Sequence, residues 1–312
     1  MNLSPIVLFV YNRPRHTQKT IKALQNNELA SESELFIYAD NAKNNKIDEK
    51  VLKVRSYIKK INGFKKVTII EREKNWGLSK SIIDGVTKVI NKYGRVIVME
   101  DDLLVSPYFL KYMNASLCKY EEEVKVIQIA GYMFPLTINI KEDALFLPLT
   151  SSWGWATWKR SWDLLDINAT GYEQLKNDPL LRDRFNLNGA CDYFSMMEDQ
   201  RAGRVDSWAI RFYLTAFISD ALTLYPRETL VINNGFDGSG IHGRTNSNLD
   251  SFANVSNFKI NTIIFPKKIR LCGSWYIINL NLFKIFAKHT MWQRIKSYLI
   301  FMIKTIYHNY KP

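Results

Sequence analysis

Cysteine is scarce in this chain. Cys118, Cys191 and Cys272 are odd in number, far apart and never in a CxxC pair, which argues against both a disulfide framework and a cysteine-held structural zinc. No run of 18 apolar residues exists, so no segment reads as a membrane span. The start, Met1 to Tyr11, lacks a basic region and carries Pro5. It reads as a first strand and not as a signal peptide, and the expected location is the cytosol. Glycine is missing from Tyr11-Asn12-Arg13-Pro14-Arg15, directly after that strand. This disfavours the Gly-rich, basic phosphate loop of a nucleotidyltransferase, the best competing enzyme class. Acidic residues are absent after Asp250, whereas ten basic residues from Lys259 to Lys311 follow it. Ten of the thirteen excess positive charges therefore sit in the last 62 residues. The first 250 are nearly balanced, and nucleic acid is not an expected partner of that body.

What is present is a long chain with a regular pattern. Its 312 residues, 46% apolar, can bury a large core. Strand and helix signals alternate. Ile6 to Tyr11 is an apolar run, Thr17 to Gln25 is helical, Glu34 to Ala39 is a strand and Ile47 to Lys60 is a Lys-rich helix. Val67 to Glu71 is a third strand. Ser79 to Tyr93 spaces Ile82, Ile83, Val86, Val89 and Ile90 as one helix face, and Arg95 to Met99 is a fourth strand. This alternation predicts an α/β fold with a mostly parallel sheet flanked by helices. The second half is less regular. Leu145 to Leu149 and Thr229 to Asn233 read as strands, Asp192 to Ser219 as largely helical, and the loop after Asn233 carries Gly235, Gly238, Gly240 and Gly243. Without repeats or a low-complexity linker, residues 1–250 read as one domain and 251–312 as a basic extension.

The fourth strand ends in Glu100-Asp101-Asp102. Three like charges at one strand end repel, and an all-oxygen cluster of this kind suits Mg²⁺ or Mn²⁺. A solvated acidic loop is the plain alternative. In parallel sheets ligands bind beyond the carboxyl ends of the strands, so Tyr11-Asn12-Arg13, Asp40-Asn41 and the acidic triplet should meet in one crevice.

These residues resemble a GT-A glycosyltransferase. Val96 to Met113 is similar to the metal and nucleotide-sugar motif of the N-acetylglucosaminyltransferase I family. The wider set resembles bacterial family 2 transferases that build surface polysaccharides. The supporting blocks are Pro5 to Pro14, Asn75 to Lys80, Trp153 to Trp158, Asp206-Ser207-Trp208 and Asn234 to Gly243, and the resemblance covers residues 5–245. It implies a metal-dependent, inverting transfer from a nucleotide-sugar donor, UDP-linked in first choice, to a glycan or lipid-linked acceptor. Under it Asp102 is the direct metal ligand. Glu100 and Asp101 lie against ribose and donor sugar or hold metal-bound water, with Asp101 a second candidate ligand.

Other positions keep two readings. Asn12, Arg13 and Asp40 match positions that receive nucleobase and ribose, or serve as ordinary turn and helix-start residues. Lys80 offers charge to the phosphates, or is one more solvated helix lysine. Asp206 is the leading base for the acceptor hydroxyl, or else caps the following helix. The eukaryotic family has two adjacent acids before its Trp where this chain has Asp206-Ser207; if the base aligned with Ser207, Glu198 or Asp199 would have to serve. Ser239 and His242, in the Gly-rich loop, contact the diphosphate or complete the metal shell, or are uninvolved. Trp153, Trp155 and Trp158 do not share one helical face and read mainly as core.

From Phe283 an apolar stripe through Ala287, Met291, Ile295, Tyr298, Met302, Ile306 and Tyr310 predicts an amphipathic basic helix. It packs back on the body or lies on an anionic membrane surface, which would make the protein peripheral on the inner face of the cell membrane. A non-enzymatic membrane-surface protein is the remaining alternative, with affinity residing wholly in the tail.

Overall fold

The computed structural model describes residues 3–43, 47–136, 138–235, 237, 262–275, 278–279 and 281–282. The predicted roles of Ser239 and His242, and the amphipathic helix from Phe283, lie outside the described residues.

The expected alternation is present. β1 (Ile6–Val10), α1 (Pro14–Gln25), β2 (Glu34–Ala39), α2 (Glu49–Ile58), β3 (Lys66–Glu71), α3 (Leu78–Tyr93) and β4 (Arg95–Glu100) follow in order. After them come β5 (Leu103–Val105), α4 (Phe109–Lys119), β6 (Val126–Ala130), β7 (Ala144–Leu147), β8 (Trp155–Trp158) and α5 (Lys159–Trp162). The chain continues through α6 (Tyr172–Asn177), α7 (Pro179–Phe185), α8 (Tyr193–Arg201), α9 (Trp208–Ile218), β9 (Leu222–Pro226) and β10 (Val231–Asn233).

Eight strands form one sheet in the order β3-β2-β1-β4-β8-β6-β9-β7, and β10 pairs with β5 in a small ribbon. β3, β2, β1 and β4 are parallel; β8 runs antiparallel between β4 and β6, and β7 is antiparallel to β9. The reversal at β8 departs from the parallel pairing that the alternation of strands and helices predicts. A strand buried on both faces reads as a continuous apolar run, so its direction leaves no mark in the residues. β1 shows this double burial. Ile6, Leu8 and Val10 enter the core beneath α1, α2 and α4, whereas Val7 and Phe9 enter the opposite core beneath α3 and α9.

Local signals set the helix starts. Asp48 accepts from the amides of Lys50 and Val51 at the head of α2, and Asp178 does the same for Leu180 and Leu181 before Pro179 at the start of α7. The predicted helical stretch 192–219 is two helices, broken at residues 202–207. A third core gathers α6 to α9, and Ile278 and Leu282 are buried in it. Of the 251–312 segment, the described residues thus pack on the body, with Phe265 edge-on to Tyr120 and the Cys272 amide donating to the Phe146 carbonyl at 3.0 Å. Among the described residues no helix is long and apolar enough to cross a membrane.

Because β8 is antiparallel to its neighbours, its entry faces the same way as the carboxyl ends of β1, β2, β4 and β6. One edge of the sheet therefore collects Tyr11 to Arg13, Asp40, Asp101 and Asp102, Gly131 and Tyr132, and Trp153 and Gly154.

Candidate active site

Asp101 and Asp102 lie where β4 turns into β5, and both are buried, 5% and 9% exposed. The turn is fixed from behind. Thr20 Oγ1 donates to the Asp101 carbonyl at 2.9 Å, and the Asn234 amide donates to the Asp102 carbonyl at 2.7 Å. Arg13, just before α1, places one guanidinium nitrogen between the carboxylates, 2.9 Å from Asp101 Oδ1 and 2.6 Å from Asp102 Oδ2. The Tyr11 amide reaches Asp101 Oδ2 at 3.3 Å. The repulsion expected of this cluster is thus partly relieved from within the chain, a role for Arg13 that its sequence position did not reveal.

The relief is incomplete. Burial pushes the Asp101 carboxyl up to about 6, against the opposing pull of Arg13. Glu100, half-buried at the same strand end, is raised well above the usual carboxylate range, first by burial and then by Asp102 and Asp101. Asp102 Oδ1 is buried and has no hydrogen-bond partner. An orphaned carboxylate oxygen is costly unless something cationic or protic completes it. Among the described residues no group of three or more His, Cys, Asp or Glu is arranged to hold a metal. The donors present are two carboxylates with one oxygen open, which fits a hard cation that takes its remaining ligands from a bound molecule.

Gly235 closes this corner. A Cβ there would collide with Asp102 Oδ2 and lie 2.9 Å from Arg13 Nη1 and 3.0 Å from Asn233 Oδ1. Only glycine lets the chain pass so close to the carboxylate. Beside it, His16 Nε2 lies 3.1 Å from the Asn234 carbonyl and 3.2 Å from Asp237 Oδ2. Sequence reasoning missed His16; no local motif marks it, because its partners are more than 200 residues away.

At the end of β2 the Asp40 carboxylate accepts from three amides, Asn41 at 2.9 Å, Trp76 at 2.8 Å and Gly77 at 2.9 Å. Gly77, at the start of α3, has φ +74°, and its N–H points to Asp40 Oδ2. Asp40 thus fastens β2 to the Asn75-Trp76-Gly77 block. Trp76 meets two cations, with the Arg72 guanidinium 3.9 Å and the Lys80 ammonium 4.7 Å from its ring centre. Lys80 is exposed on the first turn of α3. Asn12 Nδ2 donates to Asp48 Oδ2 at 3.3 Å. Tyr11, Lys43, Asp48, Lys50 and Lys53 help line an open pocket of about 480 Å³ beyond β1 and β2.

Asp206 does not cap α9. Ser207 does, its Oγ accepting from the Ile210 amide at 3.4 Å. The Asp206 side chain is 63% exposed and meets Arg211 Nη2 at 2.7 Å. Of the two fallback acids, Asp199 pairs with Arg204 at 2.6 Å, and Glu198 is exposed on α8. The tryptophans divide as core and edge. Trp155 is fully buried and stacked on Trp208 at 4.8 Å, and Trp158 donates to the Leu117 carbonyl at 3.0 Å. Trp153 is half-buried against Tyr132, ring centres 4.5 Å apart, on the carboxyl edge of the sheet.

Three solved structures resemble the chain. They are GalNAc-T7 with UDP, GalNAc and Mn²⁺ (12% identity, TM-score 0.45, covering 72% of this chain and 43% of that one), TarS 1-349 of S. aureus (16%, 0.36, 52% and 48%) and the mannosyltransferase PcManGT of Pyrobaculum calidifontis with GDP-Man and Mn²⁺ (13%, 0.38, 55% and 52%). The chain spans about half the length of each. No curated protein matches it. The glycosyl transferase family 2 model matches residues 6–166, from β1 through the strand-end acids to the loop after α5. Since that span is just over half of the chain, the protein belongs to glycosyl transferase family 2.

Proposed function

We propose that this enzyme moves a sugar, with inversion, from a nucleoside diphosphate sugar to a glycan or lipid-linked acceptor in cell-surface polysaccharide assembly, with UDP as the favoured nucleotide and Mn²⁺ or Mg²⁺ as the cofactor. The observation that carries this reading is the buried Asp101 and Asp102 pair with one oxygen of Asp102 left open beside a resident cation. Asp102 is the direct ligand, and Asp101 is either a second ligand or a partner of metal-bound water. The bound cation would neutralise charge on the departing diphosphate, an effect worth several kcal/mol.

This chain's own residues do the rest. The pocket lined by Tyr11, Asp48 and three lysines, with Asn12 bonded to Asp48, receives the nucleoside and its phosphates. Asp40 keeps the Asn75 to Gly77 block in place beside it, and Lys80 adds charge at the phosphate end. Glu100 lies against ribose or donor sugar. Asp206, exposed and not committed to capping, takes the acceptor hydroxyl proton as the new C–O bond forms. The bond from the sugar to the diphosphate breaks, and its electron pair leaves with the nucleotide. Ser239 and His242 contact the diphosphate or complete the metal shell in this reading.

Calorimetric titration of UDP, GDP and CMP, with and without Mn²⁺, into wild type and Asp102→Ala tests it. Metal-dependent binding of one nucleotide, lost in the variant, is the expected result. Failure of every nucleotide to bind folded protein would overturn the donor and metal reading. Placement on the cytosolic membrane face rests on the basic tail alone. Buried Leu282 sets the cut: removing residues 283–312 should abolish sedimentation with anionic vesicles while nucleotide binding persists, and undiminished sedimentation would refute the membrane role.

A further inference from the structure

The Asp206 carboxylate is held by a side chain of opposite character. Arg211 is 8% exposed, and its guanidinium reaches three different partners. Nη2 meets Asp206 Oδ1 at 2.7 Å and Ser79 Oγ at 2.8 Å, and Nε donates to the Ser207 carbonyl at 3.1 Å. Ser79 is itself buried, 3% exposed, in the first turn of α3. Two residues earlier, Gly77 donates to Asp40, and Trp76 does so beside it. A continuous set of bonds therefore runs from the end of β2, through the start of α3, to the exposed acid ahead of α9.

We propose that Arg211 is a positioning residue: anchored by Ser79, it fixes the Asp206 carboxylate against the same helix start that Asp40 fixes for the donor, so that base and donor share one frame. The proposal rests on the reading of Asp206 as the base. A surface aspartate alone samples several rotamers, and only some would meet an acceptor hydroxyl. A guanidinium presents its donors in a rigid fork, so one buried arginine can satisfy Ser79 and Asp206 together and select one carboxylate position. Catalysis rewards such selection steeply, since misplacement by about 1 Å can cost about 10²-fold in rate. Burial of the arginine among its partners makes that selection less sensitive to salt than it would be in a fully exposed ion pair.

The test measures nucleoside diphosphate release with water as acceptor from UDP-glucose, UDP-galactose, UDP-N-acetylglucosamine and GDP-mannose with Mn²⁺, on the full chain. Arg211→Met should lower kcat by about 10²-fold with the donor KM unchanged. Arg211→Lys, whose single ammonium can reach Asp206, should recover most of that loss. Ser79→Ala, a gentler change, should lower kcat several-fold with the same unchanged KM. Melting temperature and calorimetric nucleotide affinity, measured on each variant, separate positioning from folding. If Asp206→Asn turns over like wild type, the base reading falls and the proposal falls with it. If Asp206→Asn is inactive while Arg211→Met and Ser79→Ala keep wild-type kcat, the positioning role alone is overturned. Equal losses for Lys and Met together with a raised KM would also overturn it, because they would mark a structural fastening of α9 to α3.

Discussion

Two arginines hold acids at this sheet edge at nearly the same distance, Arg13 to Asp102 at 2.6 Å and Arg211 to Asp206 at 2.7 Å, yet the acids differ in what surrounds them. The side chains of Asp101 and Asp102 are 7% and 12% exposed, share one cation and leave an oxygen open; Asp206 is 63% exposed. A buried pair that is only partly neutralised suits a cation that binds and stays. An exposed acid on a buried anchor suits an incoming hydroxyl that must arrive, lose a proton and leave. The comparison breaks most visibly if the two sites are removed separately. Asp206→Asn should lower kcat by about 10² to 10⁴-fold and leave metal-dependent nucleotide binding intact, whereas Asp102→Ala should remove that binding. Loss of nucleotide affinity in both variants, measured calorimetrically, would show that the two acids form one site.

The second expected effect concerns Arg13. Removing one partner of a buried ion pair leaves the other uncompensated, which costs about 3 kcal/mol or more. Arg13→Gln should lose stability on that scale in metal-free urea unfolding. Mn²⁺ should return much of it, giving the variant a larger metal-induced rise in melting temperature than wild type. A variant that melts like wild type without metal would mean that Arg13 is not the cation holding the acids together.

The first half of the fold was legible because each element carries a local signature. β1 to β4 are apolar runs, α3 repeats its face every three to four residues, and strand ends in such a sheet share a crevice. The meeting of the acidic pair and Asp40 at one sheet edge was read that way. What escaped is what depends on distant partners. The direction of β8, the bond from Arg211 to Ser79 across 132 residues and the pairing of Arg13 with acids 88 and 89 residues away have no local signal. The capping residue at α9 was missed more narrowly. Asp206 and Ser207 are both good caps, and only the backbone decides between neighbours.

A smaller effect sharpens the contrast through pH. In the folded chain Asp101 titrates at about 6, above its ordinary value of 3.8. A raised carboxylate means that ionisation opposes folding. Its contribution is intact below the ordinary value and is lost as pH climbs through about 6. Metal-free Asp101→Asn should therefore gain stability relative to wild type between pH 4 and pH 7, by on the order of 2 kcal/mol. A difference that stays flat across this range in urea titrations would mean that Arg13 compensates Asp101 fully.

The mildest change tests the geometry of the corner itself. Gly235 lies against Asp102 Oδ2, and its amide donates to Asn233 Oδ1 at 2.7 Å. In Gly235→Ala the new methyl meets Asp102 Oδ2, Arg13 Nη1 and Asn233 Oδ1. Arg13 and Asn233 are side chains that can yield a few tenths of an ångström. Asp102 cannot yield without swinging away from Arg13, because its backbone is pinned by the Asn234 amide. Stability should fall by only about 1 kcal/mol, an ordinary cost for a crowded substitution. Metal-dependent nucleotide affinity should fall by about 10-fold, equivalent to about 1.4 kcal/mol, since the displaced oxygen belongs to the proposed ligand. Unchanged affinity beside a measurable stability loss would move the metal site off Asp102, leaving the buried acids with a purely structural partner in Arg13.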